Sequence, residues 1–282
     1  MKLNKSIVAL TSLVAFAATP LFAGTGKTFK ETVVVVEEEE SSWYNAALST
    51  GYDSLYMFRG WNVLRGKDGG YGNGLWWTDA NFTWNISEND TLTVGGWQAF
   101  GLSKSNYREF DAYLNYLHSF GDLAVGLGYT FYYAYPQGSQ DFANELNAKV
   151  AYALDLGFMS LTPSVTYFFN LGPDYGPGDE VGLVDTASSY LLIRVDGSVP
   201  IIKDTLSIDP YAAFGLNFGY NYDQSGSFDG ANNLEFGVSL PWKVNEIITV
   251  SGYVAYSYAF ENIWGTTQPN TFWGGGKVAF AF

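Results

Sequence analysis

The sequence predicts an all-β chain rolled into a transmembrane antiparallel β-barrel of twelve strands, carried behind a short periplasmic N-terminal leader. Three observations predict it. From Trp43 onward apolar side chains recur with period two, so alternate residues share one face. Several of these runs reach the roughly 9 to 11 residues that a tilted strand needs to cross a bilayer, where strands of soluble proteins have about 5 or 6. Tight connections alternate with long ones, as in bacterial outer-membrane barrels.

Residues 1–23 read as a signal peptide. Lys2 and Lys5 supply the positive start, Ile7 to Ala18 the apolar stretch, and Ala18-Thr19-Pro20-Leu21-Phe22-Ala23 a small-residue end suited to cleavage near Ala23. The stretch is shorter than the about 20 residues of a helical anchor, and no later run of that length is continuously apolar. Residues 24–42 form a leader in which Val33 to Val36 precede the like-charge run Glu37 to Glu40. Such runs are usually solvated. Docking in the lumen as a plug, or on a periplasmic partner, are the other readings of this leader.

The barrel occupies residues 43–282, with segments expected to begin near residues 43, 74, 91, 109, 123, 143, 158, 187, 205, 232, 247 and 271. In the second segment Trp76, Thr78, Ala80, Phe82 and Trp84 share a lipid-type face, and Trp77, Asp79, Asn81, Thr83 and Asn85 a water-type face. The fifth repeats this with Leu123, Val125, Leu127 and Tyr129 against Ala124, Gly126, Gly128 and Thr130. Short connections fall at Ser87 to Asp90, Ser119 to Asp122, Leu154 to Gly157, Val199 to Asp204 and Pro241 to Glu246, and are assigned to the periplasmic side. Longer ones, Arg59 to Asn73 and Leu171 to Asp185 among them, are rich in Gly, Asp, Asn and Ser and read as outer loops. Pro163 deletes a ladder donor in segment seven, and Gly95-Gly96 breaks the phase of segment three, so bulges are expected at both. With those two uncertainties of phase, ten and fourteen strands are the neighbouring counts.

Composition agrees with the class. Twenty-one Tyr, 21 Phe, 9 Trp and 32 Gly with only 15% charged residues suit aromatic girdles and closely packed barrel strands. A carbohydrate-binding β-sandwich shares that bias, and the arrangement along the chain decides between them. Cysteine is absent, which fits an oxidising compartment without demanding one. Loss of Lys2 and Lys5 takes the formal charge from -14 to -16, which argues against nucleic acid as a partner.

The last residues, Gly276-Lys277-Val278-Ala279-Phe280-Ala281-Phe282, place Val278, Phe280 and Phe282 on one face and Lys277 on the other. That ending resembles the assembly signal read by the bacterial barrel-assembly machinery. Leu48-Ser49-Thr50-Gly51-Tyr52-Asp53, followed by Phe58-Arg59-Gly60, and Tyr132-Tyr133-Ala134-Tyr135-Pro136 before Asn144-Glu145-Leu146 resemble the TorF family of proteobacterial porins. The likeness covers mainly residues 45–170, and Trp61-Asn62 departs from its pattern. It implies an outer-membrane barrel of channel function, with no assigned catalytic residues to carry over; no cofactor is expected.

By parity Asp79, Glu109, Asp111, Glu145, Asp196, Asp209 and Glu235 face the lumen, with Lys149, Arg194 and Lys277 as the bases. An acidic excess favours cations in an aqueous pore. The same groups can instead pair across the lumen and fill it, because about 8 strands give a packed interior and 16 to 18 an open channel. Inward aromatics such as Trp77, Tyr113, Tyr132 and Tyr211 either stack on sugars or fill space. The leading functional reading is a porin-like channel for passive diffusion of small hydrophilic solutes or ions, weakly cation-preferring, with membrane lipid as its surroundings. The second is a closed structural or adhesion barrel working through outer loops, with Trp61, Tyr71, Tyr175 and Phe228 exposed there. Protomer number stays open.

An enzyme is the third and weakest reading. Hydrolysis in a barrel wall calls for a histidine-assisted nucleophile or acid-base pair, and the one histidine, His118, has lipid-facing parity beside Tyr116 near the periplasmic end of segment four. Gly-x-Ser-x-Gly, His-Glu-x-x-His and phosphate-loop patterns are absent. Asp174, Asp179, Glu180 and Asp185 lack EF-hand spacing and read as a solvated acidic loop.

Overall fold

The computed structural model describes residues 43–64, 74–102, 107–134, 141–172, 188–223, 226–261, 263 and 270–282. The expected signal peptide and leader lie outside them, as do Tyr71, Tyr175 and the acidic loop residues Asp174, Asp179, Glu180 and Asp185. The strands are β1 (Tyr44–Asp53), β2 (Met57–Phe58), β3 (Trp61–Asn62), β4 (Leu75–Asn85), β5 (Asp90–Gly101), β6 (Arg108–Phe120), β7 (Leu123–Ala134) and β8 (Asp141–Tyr152). They continue as β9 (Leu154–Asp155), β10 (Ser160–Gly172), β11 (Ser189–Ile202), β12 (Leu206–Asp223), β13 (Gly226–Lys243), β14 (Ile248–Ala259) and β15 (Asn270–Ala281).

Twelve of these form one closed antiparallel cylinder in chain order, from β1 and β4 round to β15, with β9 a two-residue extension at the β8–β10 turn and β2–β3 a separate hairpin. The closing seam joins the first strand to the last. Ala47 to Asp53 pair with Ala281 to Gly275, and Ala46 and Phe282 exchange backbone bonds of 3.1 and 2.9 Å beyond them. Every wall strand thereby has two neighbours, the only sheet arrangement that leaves no edge donors or acceptors unpaired in hydrocarbon. The short turns and the Tyr44 and Phe282 ends lie at one end of the cylinder, and the long connections at the other.

Side chains alternate as the period of two requires. Leu127, Val150, Val165, Phe236 and Leu240 are exposed outward, while Thr130, Glu145, Thr166 and Glu235 on the same strands are buried inward. At the short-turn rim Tyr44 stacks on Phe82 with ring centres 5.1 Å apart, and Trp84 meets Phe82 edge-on at 4.7 Å. These rings form part of an aromatic belt at a membrane interface.

Two expected irregularities resolve differently. The register runs unbroken through Gly95 and Gly96 against both β4 and β6, so there is no bulge. Gly95 is small for another reason: a Cβ there would fall against the Tyr113 ring, which crosses it to reach β4. Pro163 also keeps register with β11, but its bonds toward the other neighbour are missing where β8 gives way to β9. The proline therefore deletes a donor without adding a residue. Register shifts occur instead at Asn170/Gly172, Ser189/Tyr190, Pro200/Ile202, Gly215/Leu216 and Phe218/Tyr222.

Two connections also differ from expectation. β13 begins at Gly226 rather than near residue 232, because β12 and β13, at 18 residues each, continue as a ribbon past the membrane. Phe228 is thus half-buried within a strand instead of exposed on a loop. The connection after β1 does not stay outside: Ser54 to Leu64 turn into the lumen, and Trp61 is half-buried in the inward hairpin.

Adjacent glycines give a matched test. Gly95→Ala is expected to destabilise the folded barrel by about 1–3 kcal/mol through overpacking against Tyr113. Gly96→Ala, whose Cβ would meet nothing nearer than 3.4 Å, is expected to be close to neutral. Thermal unfolding in micelles, followed by heat-modifiable gel mobility, reads both.

Candidate functional site

The inward hairpin is the centre of the site. Its entry is fixed where Ser54 N donates to Gly274 O at 2.8 Å and Gly274 N donates back to Ser54 Oγ at 3.0 Å. Met57 pairs with Asn62 and Phe58 with Trp61, leaving Arg59 and Gly60 as the two turn residues. Both have positive φ, 48° and 80°. Two consecutive left-handed residues are what a tight two-residue hairpin turn requires, and arginine takes that conformation at a cost of roughly 1–2 kcal/mol.

Contacts on every side offset the cost. Met57 belongs to one apolar cluster with Tyr132, Phe168, Tyr190, Tyr211 and Trp273, from five wall strands. Tyr56 packs with Leu75, Trp77, Trp97 and Ala99 on the opposite wall. The hairpin thus joins the two apolar clusters that fill the lumen toward the loop end.

At its tip the Arg59 guanidinium meets the Glu145 carboxylate in a two-bonded fork, Nη1 to Oε2 at 2.5 Å and Nη2 to Oε1 at 2.8 Å. Tyr220 and Tyr132 donate to the same carboxylate at 2.8 and 3.2 Å. Ring centroids of Phe168, Tyr220, Phe58 and Tyr190 lie 4.1, 4.3, 4.6 and 5.4 Å from the guanidinium carbon, within cation–π range. The backbone is held as well, since Arg59 O accepts from Asn232 Nδ2 at 2.7 Å and Asn221 Nδ2 at 3.1 Å. Arg59 and Glu145 side chains are 4% and 1% exposed, so each charge depends on the other. Burial works against the Arg59 charge, but Glu145 outweighs it and holds the group well above the ordinary arginine pKa. Nearby, burial together with Glu109 pushes the Tyr56 and Tyr107 phenols up, and Tyr107 donates to Glu109 at 2.8 Å.

The other inward ionisable groups sit in separate small networks. Asp79 accepts from Tyr113 at 3.1 Å and from Asn81 at 3.1 Å. Glu235 accepts from Tyr211 at 2.7 Å, and Asp209 from Ser198 at 2.6 Å. Arg194 pairs with Asp196 at 2.7 Å while lying 3.9 Å over the Tyr211 ring. Asp111 is buried, whereas Lys149 and Lys277, nearer the short turns along their strands, are half-buried. Trp77, Tyr113, Tyr132 and Tyr211 are all buried, and the three phenols are spent on carboxylates. Val278 and Phe280 are half-buried and Phe282 is exposed.

Two members of these networks carried no sequence signal as site residues. Arg59 lies in a glycine-bearing loop-like run, and Asp53, which accepts from Tyr253 at 2.5 Å, sits at a strand end. His118 is outside the lumen, against Phe120, with Nδ1 2.7 Å from Asp90, which Tyr116 also contacts. Among the described residues no group of three His, Asp or Glu is placed to hold a metal ion.

No family model matches the chain, and no curated protein matches it. Solved structures do. An outer membrane channel from Pseudomonas putida F1 superposes over 87% of this chain and 100% of its own, with 10% identity and a TM-score of 0.53. LpxR from Salmonella typhimurium superposes over 83% and 99%, with 9% identity and a TM-score of 0.50. The fold is that of outer-membrane β-barrels. At such identities the likeness extends to architecture alone, and the hairpin site is described from this chain's own residues.

Glu145→Gln removes the counter-charge of a buried guanidinium and is expected to cost about 3–5 kcal/mol. The double variant Arg59→Met/Glu145→Gln is expected to lose less than Glu145→Gln alone. Thermal unfolding of both in micelles, set out as a double-mutant cycle, measures the coupling.

Proposed function

We propose that the protein is an outer-membrane channel for small hydrophilic solutes or ions, cation-preferring, whose lumen is closed by its own first loop. One observation carries this reading. The inner face is polar and charged around the closed cylinder, while the obstruction is a hairpin attached to the wall by ion-pair, hydrogen-bond and stacking contacts, which can be released. Inward carboxylates outnumber inward bases even with Arg59 counted, which supports the cation preference. Export with cleavage near Ala23, insertion by the barrel-assembly machinery through the Val278, Phe280 and Phe282 face, and kinship with the TorF porins belong to the same proposal.

The second reading, a closed structural or adhesion barrel displaying its outer loops, is favoured by the packing of Met57 and Tyr56 against opposite walls. Planar bilayer recording separates the two. Wild-type protein is expected to be closed most of the time, and Arg59→Ala to raise the open probability several-fold, with a reversal potential on the cation side in a potassium chloride gradient. Absence of current from wild type, from Arg59→Ala and from a variant lacking residues 55–64 would sink the channel and leave the closed barrel.

A further inference from the structure

The cage around Arg59 belongs mostly to the wall. Tyr132 on β7, Glu145 on β8, Phe168 on β10, Tyr190 on β11 and Tyr220 on β12 come from five successive strands and converge on one point of the lumen. Each also has anchors besides Arg59. Tyr190 donates to Asn233 at 2.8 Å and packs on Phe168 at 6.3 Å and Tyr220 at 6.0 Å, while Tyr132 and Tyr220 donate to Glu145. The wall alone therefore presents a carboxylate fork oriented by two phenols and flanked by ring faces.

That combination selects a particular chemistry. A carboxylate by itself attracts any cation, but flat ring faces reward a planar, delocalised and weakly hydrated one, and the fork matches two parallel N–H groups. A compact ammonium keeps its hydration shell and satisfies neither feature as well. The group that meets all three is a guanidinium.

We propose that this wall cage is a binding site for guanidinium-bearing solutes, and that Arg59 is its tethered occupant, which such a solute displaces. The inference deepens the channel reading above and rests on it. The tether holds Arg59 at an effective concentration in the millimolar range, so a free solute competes at similar concentrations. A solute that fills the cage only when the hairpin has left it stabilises the open lumen, and opening becomes linked to the solute itself.

Methylguanidinium and methylammonium, at equal ionic strength and low millimolar concentration, are the probes. Calorimetric titration of Arg59→Ala in micelles is expected to show methylguanidinium binding about tenfold more tightly than methylammonium, and more tightly than to wild type. Phe168→Leu and, separately, Glu145→Gln in the Arg59→Ala background are expected to abolish that preference, with folding verified by heat-modifiable mobility. In bilayers, methylguanidinium but not methylammonium is expected to raise wild-type open probability. Equal binding of the two cations by Arg59→Ala overturns the cage as a guanidinium site and leaves the channel standing. Selective binding without current from any variant supports the site and removes the channel instead.

Discussion

Every feature of this molecule depends on the need to pair backbone N–H and C=O groups where no water can reach them. An open sheet in hydrocarbon leaves two edges unsatisfied at several kcal/mol per group, so the chain must close on itself. The seam between β1 and β15 is where that happens, and it brings Tyr44 and Phe282 to the short-turn side. Closure in turn creates an interior that is neither lipid nor bulk water. How that interior is filled is the remaining physical problem.

A cylinder of twelve strands is too wide for its own side chains to fill as simply as an eight-stranded one does, and too narrow for an unobstructed wide channel. The filling here comes from rings lying across the wall and from one loop. Tyr113 crosses Gly95 to reach Asp79, Tyr190 crosses Gly215 to reach Asn233, and Tyr253 crosses Gly275 to reach Asp53. Each ring needs the space that a glycine leaves, and each hydroxyl satisfies a buried acceptor. The hairpin adds to that filling toward the loop end, and its buried charge is tolerable because Tyr132 and Tyr220 also hold the Glu145 carboxylate.

The strands and turns were legible because they follow from local rules. Alternation along the fifth segment and every segment start but that of β13 needed only the period of two and the turn residues. The first loop was not legible. Its glycines and polar residues have the composition of a solvated connection, and Arg59 has its partner 86 residues away, a separation over which no local pattern acts. Gly95-Gly96 misled for a related reason: a glycine that flexes a strand and a glycine that makes room for a ring look the same in one dimension.

From the residues alone follow the class of fold, the face of most wall side chains and the acidic balance of the inner surface, since these depend on parity and sequence length; Tyr220, past the register shifts of β12, turns inward against its parity. The tertiary structure alone decided that the first loop enters the lumen and that inward carboxylates are held by phenols, by Arg59 and Arg194 and by Ser198. Those outcomes depend on which distant strands become neighbours across a closed cylinder, a relation set by three-dimensional closure rather than by sequence spacing.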